Sequence, residues 1–171
     1  MKERVREAVF NLVGPAIEGT LAIDLFAGTG ALGLEALSRG AGKAIFVEQH
    51  FPTADAVRRN VAALGVEDLA TVVGGDTFIW LRRFAEPGGT VLKDAVREGP
   101  PWAVFCSPPF DFYVDRHDEM LALVTKVVEL APAHSVLVVE ADERFDFGEL
   151  PRADQGDVRP YPPAVIGIAH L

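Results

Sequence analysis

Ala22-Ile-Asp-Leu-Phe-Ala-Gly-Thr-Gly-Ala-Leu-Gly33 joins an apolar run to a glycine-rich turn and then to helix-forming residues. Gly28, Gly30 and Gly33 satisfy G-x-G-x-x-G, the pattern of a strand that turns into a helix whose first amides approach a bound cofactor. Alone, the pattern suits a dinucleotide enzyme as well. Glu48, at the end of a second apolar run (Ala44-Ile-Phe-Val47), stands where an acid holds ribose hydroxyls in either case. Asp24 tilts the choice, because a carboxylate at the mouth of the first strand suits a ligand with a cationic amino-acid tail, which a nicotinamide dinucleotide lacks. Its alternative role is a helix cap or turn residue, but it stands far upstream of the helical pattern Ala31–Leu37.

The second informative stretch is Cys106-Ser-Pro-Pro-Phe110, which leaves the short apolar run Trp102-Ala-Val-Phe-Cys106. That run, bounded by prolines, predicts a buried strand. Two successive prolines fix φ and lack N–H donors, so the carbonyls of Ser107 and Pro108 are expected to face a ligand. An exocyclic base amine needs such acceptors to bring its delocalised lone pair into line for attack on a methyl group. Ser107 Oγ and the Pro108 carbonyl are the expected acceptors, with Phe110 stacking on the base. A proline-rich strand exit with Phe110 in the core is the alternative. S-adenosylmethionine carries both an ammonium and a sulfonium, so the two stretches together point to methyl transfer onto a planar amine. Direct displacement without a covalent intermediate is the expected mechanism, with the proton leaving to water because an unactivated serine is a poor base. Cys106 reads as a buried strand residue rather than a nucleophile.

Elements alternate as in a doubly wound α/β domain. Val5, Val9, Leu12 and Val13 recur at helical spacing and predict an amphipathic first helix. Strands are expected at Leu21–Phe26, Ala44–Glu48, Ala70–Val73, Trp102–Cys106 and Ser135–Glu140. Helices are expected at Ala31–Arg39, Phe51–Leu64, Thr77–Phe84 and Glu119–Leu130. Glu86-Pro-Gly-Gly89 breaks the third of these and opens a connector with a short helix at Val91–Arg97, either a flap near the substrate or an insertion. Asp157–Arg159 and Val165–Leu171 read as a closing antiparallel pair. Asp24, Gly28, Glu48, Asp76 and Ser107 all fall at strand ends, the edge where such folds bind ligands.

With 171 residues, 49% of them hydrophobic, the chain has material for one core, and a single domain over 1–171 is expected. A net charge of −9, from 16 basic and 25 acidic residues, excludes broad attraction to phosphates. Nucleic-acid contact then needs local basic groups, for which Lys2, Arg4, Arg6 and Arg116 are the candidates, with ordinary solvated charges as the alternative. One cysteine and four scattered histidines imply neither a disulfide nor a metal site. Neither a signal segment nor a bilayer-length apolar stretch is present, so a cytoplasmic location is expected.

The chain resembles the bacterial 16S ribosomal RNA guanine-N2 methyltransferase family of the class I S-adenosylmethionine-dependent group. The matching residues are Arg4-Val-Arg-Glu-Ala-Val-Phe-Asn11, Asp24-Leu-Phe-Ala-Gly-Thr-Gly-Ala-Leu-Gly-Leu-Glu-Ala-Leu-Ser-Arg-Gly-Ala41 and Phe46-Val-Glu48, continuing loosely through Asn60, Gly75-Asp76 and Pro-Pro-Phe. The resemblance implies a Rossmann-like, mostly parallel seven-stranded sheet with helices on both faces and a closing antiparallel strand. It implies S-adenosyl-L-methionine as cofactor, ribosomal RNA or the small ribosomal subunit as partner, and Asp76 accepting the adenine amino group, a turn-forming Asp being the alternative. Cofactor-binding candidates are Asp24, Phe26, Ala27, Gly28, Thr29, Gly30, Glu48, Gln49, Asp76 and Thr77. Catalytic candidates are Ser107, Pro108, Pro109 and Phe110, and substrate-binding candidates Arg4, Arg6 and Arg116. Two departures stand out. Members place Asp or Asn before Pro-Pro, where this chain has Ser107; Ser-Pro-Pro-Phe resembles the motif of DNA cytosine-N4 methyltransferases, making a cytosine amine the rival target. Members also carry a basic segment and hairpin before the first helix, against which Met1 stands here. A cofactor-binding module without catalysis is the reading from a different class.

Overall fold

The computed structural model describes residues 1–85 and 99–171; the expected helix at Val91–Arg97 and the break at 86–89 lie outside the described residues. β1 (Leu21–Asp24) and β4 (Trp102–Cys106) contain only buried residues, as strands covered on both faces must. The remaining strands are β2 (Lys43–Glu48), β3 (Ala70–Gly74), β5 (Val136–Asp142), β6 (Gly156–Tyr161) and β7 (Ala164–His170). They form one seven-stranded sheet of order β3-β2-β1-β4-β5-β7-β6. The first five strands in that order are parallel, and β7 pairs antiparallel with both β5 and β6. The mostly parallel sheet with a closing antiparallel strand is therefore observed.

Alternation along β4 divides the core. Ala103 and Phe105 join a cluster with Val9, Phe10, Ile17, Ala36 and Val57, beneath α1 (Glu3–Val13), α2 (Ala31–Ser38) and α3 (Phe51–Ala63). Trp102, Val104 and Cys106 join Leu81, Met120, Leu123 and Val127 on the other face, beneath α4 (Thr77–Ala85) and α6 (His117–Leu130). A single helical turn, α5 (Phe112–Asp115), follows the Pro-Pro exit. The buried stripe of α1 is Val5, Val9, Phe10 and Val13. Leu12, expected in that stripe, is only partly buried; Phe10 takes the deep position with its ring 5.3 Å from that of Phe105.

After β1 the chain winds outward through β2 and β3, then returns across β1 to place β4 on its other side. This reversal separates the loops leaving β1 and β4 and opens a crevice at the carboxyl edge. Helix α2 approaches the sheet closely because Gly33 has no side chain: a Cβ there would stand 2.4 Å from the Phe46 ring.

Candidate active site at the carboxyl edge of the sheet

A cavity of about 520 Å³ opens at the carboxyl edge, between the segments that leave β1, β2, β3 and β4 and the end of β5. The glycine turn supplies Phe26, Ala27, Gly28 and Thr29 to its wall, and the end of β2 supplies Glu48 and Gln49. Asp76 and Thr77 enter after β3, Ser107 to Phe110 after β4, and Arg6 from α1.

Glu48 is held rigidly. One carboxylate oxygen accepts the Gly28 amide and the other the His50 amide, each at 2.8 Å. Each oxygen keeps a second lone pair, so the group still accepts hydroxyl donors while its orientation is set by backbone. Gly28 adopts φ +54 and Gly30 φ +86, the left-handed region that makes glycine the fitting residue in this turn. Asp76 caps α4, its Oδ1 accepting the Ile79 amide at 2.9 Å. Thr77 is buried, and its hydroxyl donates to the Leu25 carbonyl, tying the start of α4 to the end of β1.

The Ser-Pro-Pro-Phe segment closes into a turn through its later carbonyls: Phe112 N donates to Pro109 O at 2.9 Å and Tyr113 N to Phe110 O at 3.1 Å. Phe110 is part-buried and lines the cavity, so it is not the core residue of the alternative reading. Cys106, one position earlier, is 1% exposed and sits 3.7 Å from the Tyr113 hydroxyl. Burial pushes its thiol up to about 12, which keeps it protonated and poorly nucleophilic.

Five candidates stand outside the cavity wall, Lys2 among them on the groove that holds Arg4. Asp24 is the most instructive. The turn doubles back over it, so Oδ2 accepts the Gly33 amide at 3.2 Å inside the first turn of α2. Distance along the chain therefore misled the expectation that Asp24 stands too far upstream to serve the helix. Its Oδ1 is buried without a hydrogen-bond partner among the described residues, and burial pushes the carboxyl up to about 7. Gly30 is taken up by the turn, donating to Ala27 O at 2.7 Å, with a hypothetical Cβ only 3.1 Å from Val57. Arg4 lies on a separate groove beside Pro160, Tyr161 and Pro162, because residues two apart on a helix face apart. Arg116 spreads its guanidinium 4.0 Å above the Phe78 ring and binds Glu119 through two hydrogen bonds of 2.9 and 2.8 Å. It covers an aromatic trio of Phe26, Phe78 and Phe112, two of which line the cavity.

Sequence reasoning missed Phe78 and Glu140 as wall residues. Glu140 is 4% exposed, and its Oε2 accepts the Ser107 hydroxyl; the Met1 amino nitrogen stands 3.8 Å from the same oxygen. The one available signal was an acid ending the apolar run 136–139. Among the described residues no group of His, Cys, Asp or Glu is arranged to hold a metal, and no helix is long and apolar enough to cross a membrane.

A family model described as "Conserved hypothetical protein 95" matches residues 1–153. "Putative rRNA methyltransferase YlbH" of Bacillus subtilis (strain 168) is 31% identical over 149 residues, which cover 86% of this chain and 73% of that protein. "Ribosomal RNA small subunit methyltransferase D" of Escherichia coli (strain K12) is 38% identical over 92 residues, which cover 54% of this chain but only 46% of that protein. Among solved structures, an RNA methyltransferase from Salinibacter ruber in complex with S-adenosyl-L-homocysteine superposes with a TM-score of 0.66 at 17% identity. That match covers 99% of this chain and 91% of the other, and it is a likeness of fold.

Proposed function

The chain belongs to the family described as Conserved hypothetical protein 95, and from that premise we propose that it is an S-adenosylmethionine-dependent methyltransferase. We propose further that its target is an exocyclic base amine of ribosomal RNA, specifically guanine N2 of the small-subunit RNA, and that residues 1–171 work as one domain in the cytoplasm, where ribosomal particles are found. The observation that carries the reading is the position of one cavity between two unlike walls: the glycine turn with Glu48 and Asp76 on one side, Ser107-Pro-Pro-Phe110 on the other.

The residues present fit the cofactor. Glu48 has a fixed carboxylate with lone pairs left for a ribose diol. Asp76 lines the cavity at the end of β3, an acceptor for an adenine amino group, and Phe26 and Phe78 supply apolar surface for a purine. Gly28, Thr29, Gln49 and Thr77 complete that half of the wall. When bound, S-adenosylmethionine supplies an electrophilic methyl on a sulfonium.

The protein's own contribution is placement. The Ser107 hydroxyl and the Pro108 carbonyl accept the amine's two N–H groups, which aims its lone pair at the methyl. Phe110 stacks on the base, and Pro109 stiffens the turn that carries it. Holding two reactants in line supplies up to about 7–11 kcal/mol of a barrier in favourable cases. Arg6, the one substrate-binding candidate in the cavity wall, meets the RNA backbone there, while Arg4 engages it further along α1 and Arg116 stiffens the aromatic rim.

The test is transfer of a labelled methyl group to unmodified small ribosomal subunits, their free RNA, and DNA, with mass identification of the product nucleoside. N2-methylguanosine in a ribosomal sample is the expected result. N4-methylcytosine would move the target to cytosine, the base that the serine before Pro-Pro favours. No transfer to any sample, with the cofactor bound, would overturn the enzymatic reading.

A further inference from the structure

Glu140 has a job that the Ser-Pro-Pro-Phe motif by itself leaves undone. The parallel pairing of β4 and β5 sets Cys106 beside Val139, so Ser107 and Glu140, each one residue further, emerge side by side at the carboxyl edge. Both line the cavity, and the Ser107 hydroxyl donates to Glu140 Oε2. A carboxylate that is 4% exposed is costly to keep in a wall unless something there needs its charge. Among the described residues its hydrogen-bond partner is the Ser107 hydroxyl, and the Met1 ammonium stands in ion-pair range of the same oxygen at 3.8 Å.

A serine hydroxyl has one hydrogen and two lone pairs. With the hydrogen committed to Glu140, Ser107 Oγ turns only lone pairs toward the cavity, and a hydroxyl that donates to a carboxylate is a stronger acceptor than a free one. We propose that Ser107 and Glu140 together form the amine acceptor, with Glu140 the positioning residue that acts through Ser107 and finally takes the proton. The inference rests on the methyltransferase reading above. In the step it describes, the amine lone pair forms the new C–N bond as the S–CH3 bond breaks and its electron pair stays on sulfur. The methylated nitrogen then passes its surplus proton to Ser107 Oγ as Ser107 passes its own to Glu140, leaving neutral S-adenosylhomocysteine and a carboxylic acid that reloses its proton to water. A charge-neutral serine thus does the work of the Asp or Asn of the resembled family, with the charge delivered from the next strand.

The experiment is calorimetric titration of the full chain with two nucleosides. One is S-adenosylhomocysteine, whose sulfur is neutral. The other is sinefungin, which carries an amine where the methylsulfonium stands and so presents an ammonium at the transfer point. Glu140→Gln keeps the acceptor for the Ser107 hydroxyl and removes only the charge. It should weaken sinefungin about tenfold or more, the scale of a lost charged hydrogen bond, while S-adenosylhomocysteine changes less than about twofold. Ser107→Ala should lower the same ratio, and the double variant should lose no more than the larger single loss, because the two side chains act as one unit. Should Glu140→Gln fail to fold, Ser107→Ala carries the test through the same ratio. A ratio unchanged in these variants overturns the inference and leaves the methyltransferase reading standing. Failure of the unsubstituted protein to bind either nucleoside overturns both.

Discussion

Asp24 is a carboxyl removed from water, with one oxygen unpartnered among the described residues. Its value of about 7 lies above the ordinary 3.8 because burial disfavours the anion. Between those values the unfolded chain has lost the proton that the folded protein keeps, so folding becomes less favourable as pH rises from about 4 to about 7 and then levels off. Asp24→Asn should abolish this slope, which cannot exceed about 1.4 kcal/mol per pH unit for one group. Urea unfolding at pH 4.5 and 7.5 checks it: the variant gains stability relative to the parent at the higher pH, and an equal difference at both would refute the assignment. Phe110 offers a second prediction, because its ring faces the cavity. Phe110→Ala should raise the RNA concentration for half-maximal transfer roughly tenfold, as expected from losing a stacking contact of about 1–3 kcal/mol, with cofactor affinity unchanged. A loss of cofactor binding instead would place the ring against the nucleoside. At this scale the motif residues were legible because each motif is contiguous. Glu140 was not, since a lone acid at a strand end carries no pattern until β5 lies beside β4.

At the scale of elements, α2 is seated on β2 by the absence of a side chain. A Cβ at Gly33 would meet three atoms of the Phe46 ring at 2.4, 2.9 and 3.0 Å, and Phe46 is fully buried with no room to turn away. Gly33→Ala should therefore cost about 1–3 kcal/mol through overpacking, set against at most about 1 kcal/mol gained in helix propensity. Chemical denaturation measures the net, and a stabilised variant would show that the helix can lift without penalty. The displaced helix would also move the Gly28 amide that orients Glu48, so weaker cofactor binding should accompany the lost stability. The seven strands and the helices α2, α3, α4 and α6 were read within a residue or two from periodicity and glycine breaks, whereas the single turn α5 was not read; β1 ends at Asp24 rather than Phe26 because the chain has already begun its turn there. The buried stripe of α1 was misread at one position. Phe10 and Leu12 both fit an apolar face, and the partner ring of Phe105 decides between them.

Over the whole molecule, acidic residues outnumber basic ones 25 to 16, so the RNA binding proposed for it must come from few contacts. Arg6 lines the cavity wall, while Lys2, which precedes the first residue of α1, and Arg4 line a separate groove, so the start of α1 offers three basic groups for phosphate. Binding should weaken with salt along a log–log slope no steeper than about −3, near −0.9 per phosphate for three contacts, and Arg6→Ala should lower that slope by about 1. A slope that Arg6→Ala leaves untouched would remove α1 from the interface. The sequence by itself determined the alternating α/β class, the glycine turn, the acid ending the second strand and the proline-stiffened exit, because each is a local pattern with a local physical cause. Tertiary structure alone decided that Asp24 lies beneath the turn, that Arg4 and Arg6 face different hollows, and that Glu140 meets Ser107. These are outcomes of sheet order, register and helix rotation, which join residues as distant as Ser107 and Glu140, 33 positions apart, and leave no trace in spacing along the chain.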